Sequence, residues 1–136
     1  MDCCVFCHLD LEPSQNIILE NEHCLFLQLT EAQQHGIPLA GAGVIVPKRH
    51  AETVFDLTTD ECQSTYALLH EAKKFLDDTY QPDGYNVGWN SGEIAGQHIM
   101  HAHLHVLPRY ADETLAYKGI HYMFKGQLNS RKTTEC

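Results

Sequence analysis

Short apolar runs bounded by polar and turn-forming residues predict the strands of this chain. Four of these runs fall at residues 16–20, 24–29, 42–47 and 85–90. Asn21 and Glu22 separate the first two runs, which is typical of a hairpin. A fifth run, from His101 to Leu107, alternates histidine with apolar residues and predicts another strand. Residues 30–43 are mostly polar and contain glycine and proline, so we expect a loop there.

The clearest single element is a helix predicted from Thr58 to Tyr80. Thr58 and Glu61 have the spacing of a capping box, in which each side chain binds the backbone N–H of the other residue. Apolar residues then recur in steps of three and four, which predicts one buried stripe made of Cys62, Tyr66, Leu69, Ala72, Leu76 and Tyr80. The order of elements predicts an α+β fold, with an antiparallel sheet of about five strands and one main helix packed on it.

The three alternating histidines are the strongest chemical signal in the sequence. Side chains two residues apart share one face of a strand and stand roughly 6.6 Å apart, so His101, His103 and His105 line one face. The residues between them point to the core, and Pro108, which cannot donate to a neighbouring strand, is expected to end this strand. Imidazole is suited to proton and phosphoryl exchange near neutral pH. The middle imidazole, that of His103, is the natural nucleophile of such a row.

Composition narrows the class of protein. A chain of 136 residues has the length of one domain and can bury a substantial core. The net charge is −9 and the basic residues form only short pairs, which makes nucleic-acid binding an unlikely main role. No apolar run approaches the ~18 residues that a membrane span needs. The first residues do not have the pattern of a secretory signal, so we expect a cytoplasmic protein with reduced thiols.

A Cys4-x-x-Cys7 pair supplies half of a tetrahedral zinc site. Two packed thiols without metal are the simpler interpretation of this pair. Cys3 and His8 are neighbouring alternatives as ligands. The other cysteines do not continue the pattern; Cys24 and Cys62 lie in apolar surroundings and are expected to be core residues.

Several segments together resemble one known family. Gly96-Gln97, the row of alternating histidines and Pro108-Arg109 resemble the signature of the histidine-triad (HIT) nucleotide hydrolases and transferases. Residues 45–50, with the sequence Ile-Val-Pro-Lys-Arg-His, resemble a second family element at the end of a central strand. The resemblance covers residues 4–110. We therefore expect a HIT domain over residues 1–110 and a C-terminal extension over residues 111–136, whose end is predicted to be disordered.

The resemblance implies a hydrolase that acts on dinucleoside polyphosphates or nucleoside phosphoramidates. In it, His103 attacks the α-phosphate of a nucleotide, purine by preference, and water releases the covalent nucleotidyl-histidine. His105 would donate to phosphate oxygens, and Gln97 would support the triad. Asn90 matches a polar residue that touches phosphate, and His98 matches a position near the leaving group. No Asp or Asn stands where the family binds ribose, and Gln28 is the candidate substitute.

The resemblance also implies a metal and a partner. Some bacterial members combine a Cys-x-x-Cys pair with the histidine of the Pro-Lys-x-His element and the first triad histidine. Transferred to this chain, the zinc ligands are Cys4, Cys7, His50 and His101, and the zinc is structural. No organic cofactor is implied. Homodimers of the family pair through the helix and the strand at residues 85–90, and an open strand edge favours such pairing.

Two other functions fit the same residues. The first is a nucleotide-binding module without turnover. The second is a metallohydrolase in which the three histidines hold a catalytic zinc. The second function needs a carboxylate base beside the histidines, and only Glu93 offers one. A covalent adduct on histidine would separate the hydrolase from both alternatives.

Overall fold

The computed structural model describes residues 3–29, 39–125 and 129–131. Its strands are β1 (Gln15–Glu20), β2 (Cys24–Leu29), β3 (Gly43–Pro47), β4 (Gly84–Trp89) and β5 (Leu104–Arg109). Its helices are α1 (Thr59–Tyr80) and the short α2 (Tyr122–Lys125), with three-residue turns of 3₁₀ helix at Leu9–Leu11, Val54–Asp56 and Glu93–Ala95. Part of the predicted loop, residues 30–38, lies outside the described residues. So do residues 126–128 and 132–136, which include most of the end that was predicted to be disordered.

All five strands join one antiparallel sheet in the order β1-β2-β3-β5-β4. The predicted α+β class, the five strands and the single main helix are confirmed. The central position of β5 results from its pairing with β3 on one side and β4 on the other. β5, the last strand in sequence, therefore lies between two strands that precede it in the chain, and the histidines just before it and within it lie near the middle of the sheet.

The two faces of the sheet carry different cores. On the face covered by α1, here called the helix face, one buried cluster consists of Cys24, Phe26, Ile45, Leu68, Ala72, Leu76, Leu104 and Val106. On the opposite face, here called the histidine face, a smaller cluster consists of Phe6, Leu25, Leu27 and Val46. Side chains alternate along each strand, so Leu104 and Val106 direct the neighbouring His103 and His105 to the histidine face.

The buried stripe of α1 differs from the predicted one. The residues that are buried are Glu61, Thr65, Leu68, Ala72 and Leu76, whereas Tyr66 is 49% exposed and Cys62 is half-buried. Two polar residues can occupy the buried stripe because both have partners. The Glu61 carboxylate binds the Arg49 guanidinium, and the Thr65 hydroxyl donates to the Glu61 carbonyl at 2.7 Å. Cys24 is fully buried, as predicted, and lies 3.4 Å from the Thr65 hydroxyl.

The capping box predicted at the start of α1 is present. The Thr58 hydroxyl accepts from the Glu61 N–H at 3.1 Å, and the Glu61 carboxylate accepts from the Thr58 N–H at 2.8 Å. We expect Thr58→Ala to lower the free energy of unfolding by about 1 kcal/mol, because one N–H of the first turn loses its acceptor. Urea denaturation measures this loss. Thr59→Ala, at the next position, which is also exposed, is the control; an equal effect of the two changes would contradict a capping role.

The ends of β5 differ from the prediction in two ways. The strand begins at Leu104 rather than at His101, because the preceding segment binds the chain after β3 instead of a strand; the Ala102 N–H donates to the Ala51 carbonyl at 2.7 Å. The strand also continues through Pro108 to Arg109. Pairing with β3 stops at Val106, so Pro108 has only β4 as a neighbour, and its missing N–H is tolerated there.

The described part of the extension is attached to the sheet through Arg109. Its guanidinium pairs with Glu113 at 2.6 Å, donates to the carbonyls of Leu115 and Lys118 at 2.8 and 2.7 Å, and also binds the Asn86 side chain. These contacts hold the chain after β5 against β4. Among the described helices, none combines the length and the apolar character that crossing a membrane would require.

Candidate active site and metal centre

The segment from His101 to His105 brings its three imidazoles to the histidine face. The His103 and His105 rings are 4.9 Å apart between centroids and meet edge to face. Phe6, from the segment between the two N-terminal cysteines, contacts the rings of His101 and His103 at centroid distances of 5.7 and 5.2 Å. His101 is fully buried, His103 is 7% exposed and His105 is half-buried. Accessibility therefore increases along the row.

The tautomer of His103 is set by a backbone carbonyl. Its Nδ1 lies 2.8 Å from the carbonyl oxygen of His101, and that oxygen can only accept a hydrogen bond. Nδ1 therefore carries the proton when the ring is neutral, which leaves the lone pair on Nε2. Within the described part of the chain, Nε2 has no hydrogen-bond partner. His103 thus offers one unengaged nitrogen in a fixed orientation.

Burial favours the neutral imidazole in this row. It lowers the pKa of His103, and the neighbouring His98 lowers this pKa further, while the hydrogen bond to the His101 carbonyl acts in the opposite direction. Burial also lowers the pKa of His105, with a smaller contribution from His103. Only the neutral ring has a lone pair, so the environment of His103 preserves a nucleophilic nitrogen at neutral pH.

A separate cluster forms beside the row from Cys4, Cys7, His50 and His101. One ligand atom from each residue lies within 4.8 Å of all the others. His101 Nδ1 is 3.4 Å from the Cys4 sulfur and 3.5 Å from the Cys7 sulfur, and His50 Nδ1 is 3.3 Å from the Cys7 sulfur. Zinc–sulfur and zinc–nitrogen bonds of about 2.3 and 2.0–2.1 Å require tetrahedral edges of about 3.6 Å between S and N. The observed distances fit such a site.

The protonation of His101 also fits a metal ligand. Its Nε2 lies 2.8 Å from the Pro47 carbonyl oxygen and must donate to it, so Nδ1 is free to bind through its lone pair. The ring of His50 stands edge to face against that of His101 at 4.9 Å. Cys3 and His8, the alternative ligands, are exposed and do not belong to the cluster. No disulfide joins the cysteines in the described part of the chain.

The buried side chain of Gln97 supports the loop that leads into the histidine row. Its amide donates to the carbonyls of Glu52 and Ile99 at 2.6 and 3.0 Å, and its side-chain oxygen accepts from the Gly92 N–H at 2.8 Å. Gly92 and Gly96 have φ angles of +98° and +99°, which favour glycine, and they bound the turn that Gln97 closes. Gln97 therefore holds the loop before the row, and every hydrogen bond it makes is to backbone.

Two of the remaining predicted residues, Asn90 and His98, lie near the histidine row. Asn90 follows β4 directly, is half-buried, and has its amide nitrogen beside Gly96, within the glycine-bounded loop. His98 is exposed and lines a cavity of about 250 Å3 together with Cys3, Cys4, Val5, His50, Ile99 and Met100. Both residues therefore lie in the loop that leads into the histidine row.

Gln28 is not brought to this site. It alternates with Leu27 and so shares the helix face with Phe26, and its amide donates to the Gly41 carbonyl at 3.0 Å. Glu93, the base that a three-histidine metal site would need, is exposed on the turn at 93–95. Among the described residues, His101 joins the cysteines rather than a metal group with the other two triad histidines.

Sequence reasoning missed three contributors. Phe6 packs against two of the imidazoles, and its only signal is its place between the paired cysteines. The carbonyls of Ala51 and Glu52 hold Ala102 and Gln97, and a backbone acceptor has no signal in a sequence. Arg49 stands inside the Pro-Lys-Arg-His element, but its partner Glu61 was interpreted only as a capping residue.

A five-stranded antiparallel sheet with one main helix, and a histidine row beside a Cys2His2 cluster, define a protein of the histidine-triad class. The family model of the HIT domain matches residues 10–112. The chain therefore belongs to the HIT domain family.

Three relatives illustrate the range of the similarity. The protein named hit from Bacillus subtilis is 30% identical over 111 residues, which cover 79% of this chain and 71% of that protein. A zinc-bound histidine triad family protein from Mycobacterium smegmatis has a TM-score of 0.68 and 26% identity, covering 85% of this chain and 81% of that one. The adenosine 5′-monophosphoramidase HNT1 of Candida albicans is 29% identical over 118 residues, 82% of this chain and 73% of the relative.

Proposed function

We propose that this chain hydrolyses nucleoside phosphate derivatives through a covalent nucleotidyl-histidine formed on His103. The observation that carries the proposal is the 2.8 Å contact between His103 Nδ1 and the His101 carbonyl, which leaves Nε2 with an unengaged lone pair. A nucleophile needs such a fixed, unprotonated atom, and burial keeps this imidazole neutral. The site-bearing unit is residues 1–110, and residues 111–136 form its extension.

The reaction has two displacements at the α-phosphorus. In the first, Nε2 attacks, a P–N bond forms, and the bond from phosphorus to the leaving group breaks; the leaving group departs with the electron pair, and an amine also takes up a proton, whereas a phosphate chain leaves as an anion. In the second, water attacks the same phosphorus, the P–N bond breaks, and the water loses one proton to solvent. The products are the nucleoside monophosphate, the free leaving group and the original imidazole. The route divides one difficult substitution into two easier ones.

The neighbouring side chains have separate roles in this proposal. His105, 4.9 Å from the His103 ring, donates to the phosphate oxygens and stabilises their developing charge. Asn90 supplies a further amide donor. His98 is exposed and close enough to His103 to lower its pKa, and it is the group that can protonate the leaving atom. Gln97 acts indirectly, because all its hydrogen bonds are to backbone groups that shape the loop.

The Cys4, Cys7, His50 and His101 cluster binds one structural zinc in this proposal. Four protein ligands close the coordination sphere and leave no position for substrate, which is typical of structural sites. Zinc would supply a cross-link between the N-terminal segment, the end of β3 and the start of the histidine row. A cytoplasmic location belongs to the proposal, since the cysteine pair must stay reduced to bind metal.

The substrate class is a nucleoside monophosphoryl group, purine by preference, joined to an amine or to a second phosphate chain. Nucleoside phosphoramidates and dinucleoside polyphosphates both present such an α-phosphorus. The Candida albicans relative named adenosine 5′-monophosphoramidase supports the first of these. With the phosphoramidate the leaving amine must be protonated, whereas the phosphate leaving group departs as an anion.

The experiment that tests the proposal combines turnover with trapping. Purified protein is mixed with adenosine 5′-phosphoramidate or with diadenosine tetraphosphate, and release of AMP is followed over time. Samples quenched in alkali, which preserves phosphoramidate bonds, are then examined by mass spectrometry for an adenylyl group on the 101–105 peptide. AMP release with an adduct on His103 supports the proposal. Nucleotide binding without AMP release and without adduct would identify a binding module instead.

The proposal includes a homodimer. β4 is the edge strand of the sheet, and an unpaired edge invites pairing with another strand. On its helix face, the partly buried Tyr85, Val87 and Trp89 pack against the core, and the buried Nε1 of Trp89 has no partner in the described chain. We expect sedimentation equilibrium at micromolar concentration to give twice the chain mass of 15.4 kDa. A monomer at that concentration contradicts this arrangement.

A further inference from the structure

Three successive residues of the connection between β3 and α1 contact the histidine row or Gln97, which supports the loop before the row. The ring of His50 contacts the ring of His101 at 4.9 Å. The carbonyl of Ala51 accepts from the N–H of Ala102 at 2.7 Å. The carbonyl of Glu52 accepts from the Gln97 amide at 2.6 Å. A contact that holds residues 50–52 in place therefore also holds the backbone before and after His101.

Arg49 and Glu61 hold both ends of this connection. Arg49 donates from Nε and Nη2 to the two carboxylate oxygens of Glu61, at 3.0 and 2.8 Å. The same guanidinium donates to the Asp56 carbonyl at 2.9 Å and to the His50 carbonyl at 3.5 Å. His50 and Asp56 bound the segment that supports the histidine row. One planar group thus spans the segment and attaches it to the first turn of α1.

The Glu61 carboxylate is well suited to hold the Arg49 guanidinium in a fixed position. It is 4% exposed, and besides Arg49 it accepts from the Thr58 N–H at 2.8 Å. The bond from Arg49 holds the pKa of Glu61 far below its ordinary value, at about 2, although burial acts in the opposite direction. The carboxylate therefore stays charged at working pH. A bidentate pair fixes direction as well as distance, which a single contact does not.

We propose that the Arg49–Glu61 pair is a positioning element for the histidine row: it holds the carbonyls of Ala51 and Glu52 where Ala102 and Gln97 need them, and so fixes the attack line of His103. The catalytic part of this inference rests on the proposed function of His103. The pair lies outside the reacting groups and acts only through the backbone. Small displacements of a nucleophile are costly, and misplacement by about 1 Å can reduce a rate by about 10²-fold.

The test uses Glu61→Gln, which keeps the shape of the side chain and an acceptor for Thr58 but removes the charge. Arg49→Lys is the second variant, because lysine keeps the charge but lacks the planar fork. The control is Glu20→Gln, which removes a neighbouring, exposed ion pair between Glu20 and Lys48 at 2.9 Å. Each protein is assayed with adenosine 5′-phosphoramidate well below its melting temperature. Hydrogen exchange of the Ala102 amide is measured in parallel by NMR.

For Glu61→Gln and Arg49→Lys we expect kcat to fall at least about tenfold, with KM within about twofold, because alignment rather than ground-state binding is lost. We also expect the Ala102 amide to exchange at least about tenfold faster, while the amides of Ile45 and Val106 in the sheet keep their rates. Glu20→Gln should match the wild type in all these measurements. If one variant fails to fold, the other carries the test.

Three results would overturn the inference. One is a lower melting temperature with kcat and Ala102 exchange unchanged, which would make the pair merely stabilising. Another is a lower kcat without faster Ala102 exchange, and the third is an equal effect of Glu20→Gln. A wild type inactive on both substrates would refute the proposed function alone. The exchange rate of the Ala102 amide would then still test the positioning role. Faster exchange in Glu61→Gln than in Glu20→Gln would support that role, and equal rates would contradict it.

Discussion

Replacement of His103 by alanine is expected to abolish nearly all turnover while leaving the fold and the metal intact. In the proposed mechanism the substitution removes the attacking Nε2 rather than a binding contact. We expect kcat to fall by at least about 10⁴-fold, the scale seen when a nucleophile is deleted. Steady-state release of AMP from adenosine 5′-phosphoramidate measures the effect, and zinc content and thermal melting verify the fold.

Two further substitutions make this result specific. His105→Ala should cost less, roughly 10²–10³-fold in kcat, because the proposed site keeps other donors for the phosphate. His70→Ala, which removes an exposed imidazole from α1, should have no effect. Wild-type hydrolysis of both phosphoramidates and dinucleoside polyphosphates by His103→Ala, without a trapped adduct in the wild type, would exclude the covalent route. The site would then hydrolyse these substrates by a route that does not use His103 as the nucleophile.

Replacement of Cys4 by alanine should release the zinc and lower stability more than it lowers chemistry. The cluster joins residues 97 and 43 positions apart in the sequence, so a metal bound there would act as a cross-link over long loops. We expect zinc to fall from about one per chain to almost none, and the free energy of unfolding to decrease by about 2–4 kcal/mol, as for a covalent cross-link of this kind. Metal analysis and urea denaturation measure both.

Cys3→Ala is the matched control, since Cys3 is adjacent, exposed and outside the cluster. It should retain zinc and stability. Absence of zinc from wild-type protein purified under reducing conditions would refute the metal site. A Cys4→Ala variant that keeps its stability but loses all turnover would instead favour a catalytic role for the metal.

Local signals predicted most of the fold, and long-range partners explain where prediction failed. The capping box at Thr58 and the hairpin around Asn21 depend on neighbours in sequence, and both are present. The buried stripe of α1 was shifted because Glu61 can be buried only with Arg49, twelve residues away, as its partner. His101 was assigned to a strand because nothing in the sequence shows that Ala102 binds Ala51 instead.

In the candidate site, too, some features could be predicted from the sequence and others depend on long-range contacts. The Cys-x-x-Cys spacing predicted two of the metal ligands and the family resemblance predicted the other two, and the structure brings all four side chains together. The hydrogen bond that sets the tautomer of His103 comes from a backbone carbonyl, which every residue has and no sequence distinguishes. The resemblance makes Gln28 the candidate ribose ligand near the end of β2, but the alternation of the strand places it on the helix face.

The turn of Gln28 toward α1 has a consequence for sugar selectivity. On the histidine face, the end of β2 is occupied by the half-buried Leu29, which follows Leu25 and Leu27 in the alternation. An isobutyl side chain offers no acceptor to the hydroxyl groups of a ribose. If the ribose lies at this end of β2, as the family resemblance implies, a 2′-deoxyribose loses little there, and we expect the chain to process deoxynucleoside and ribonucleoside derivatives at similar rates.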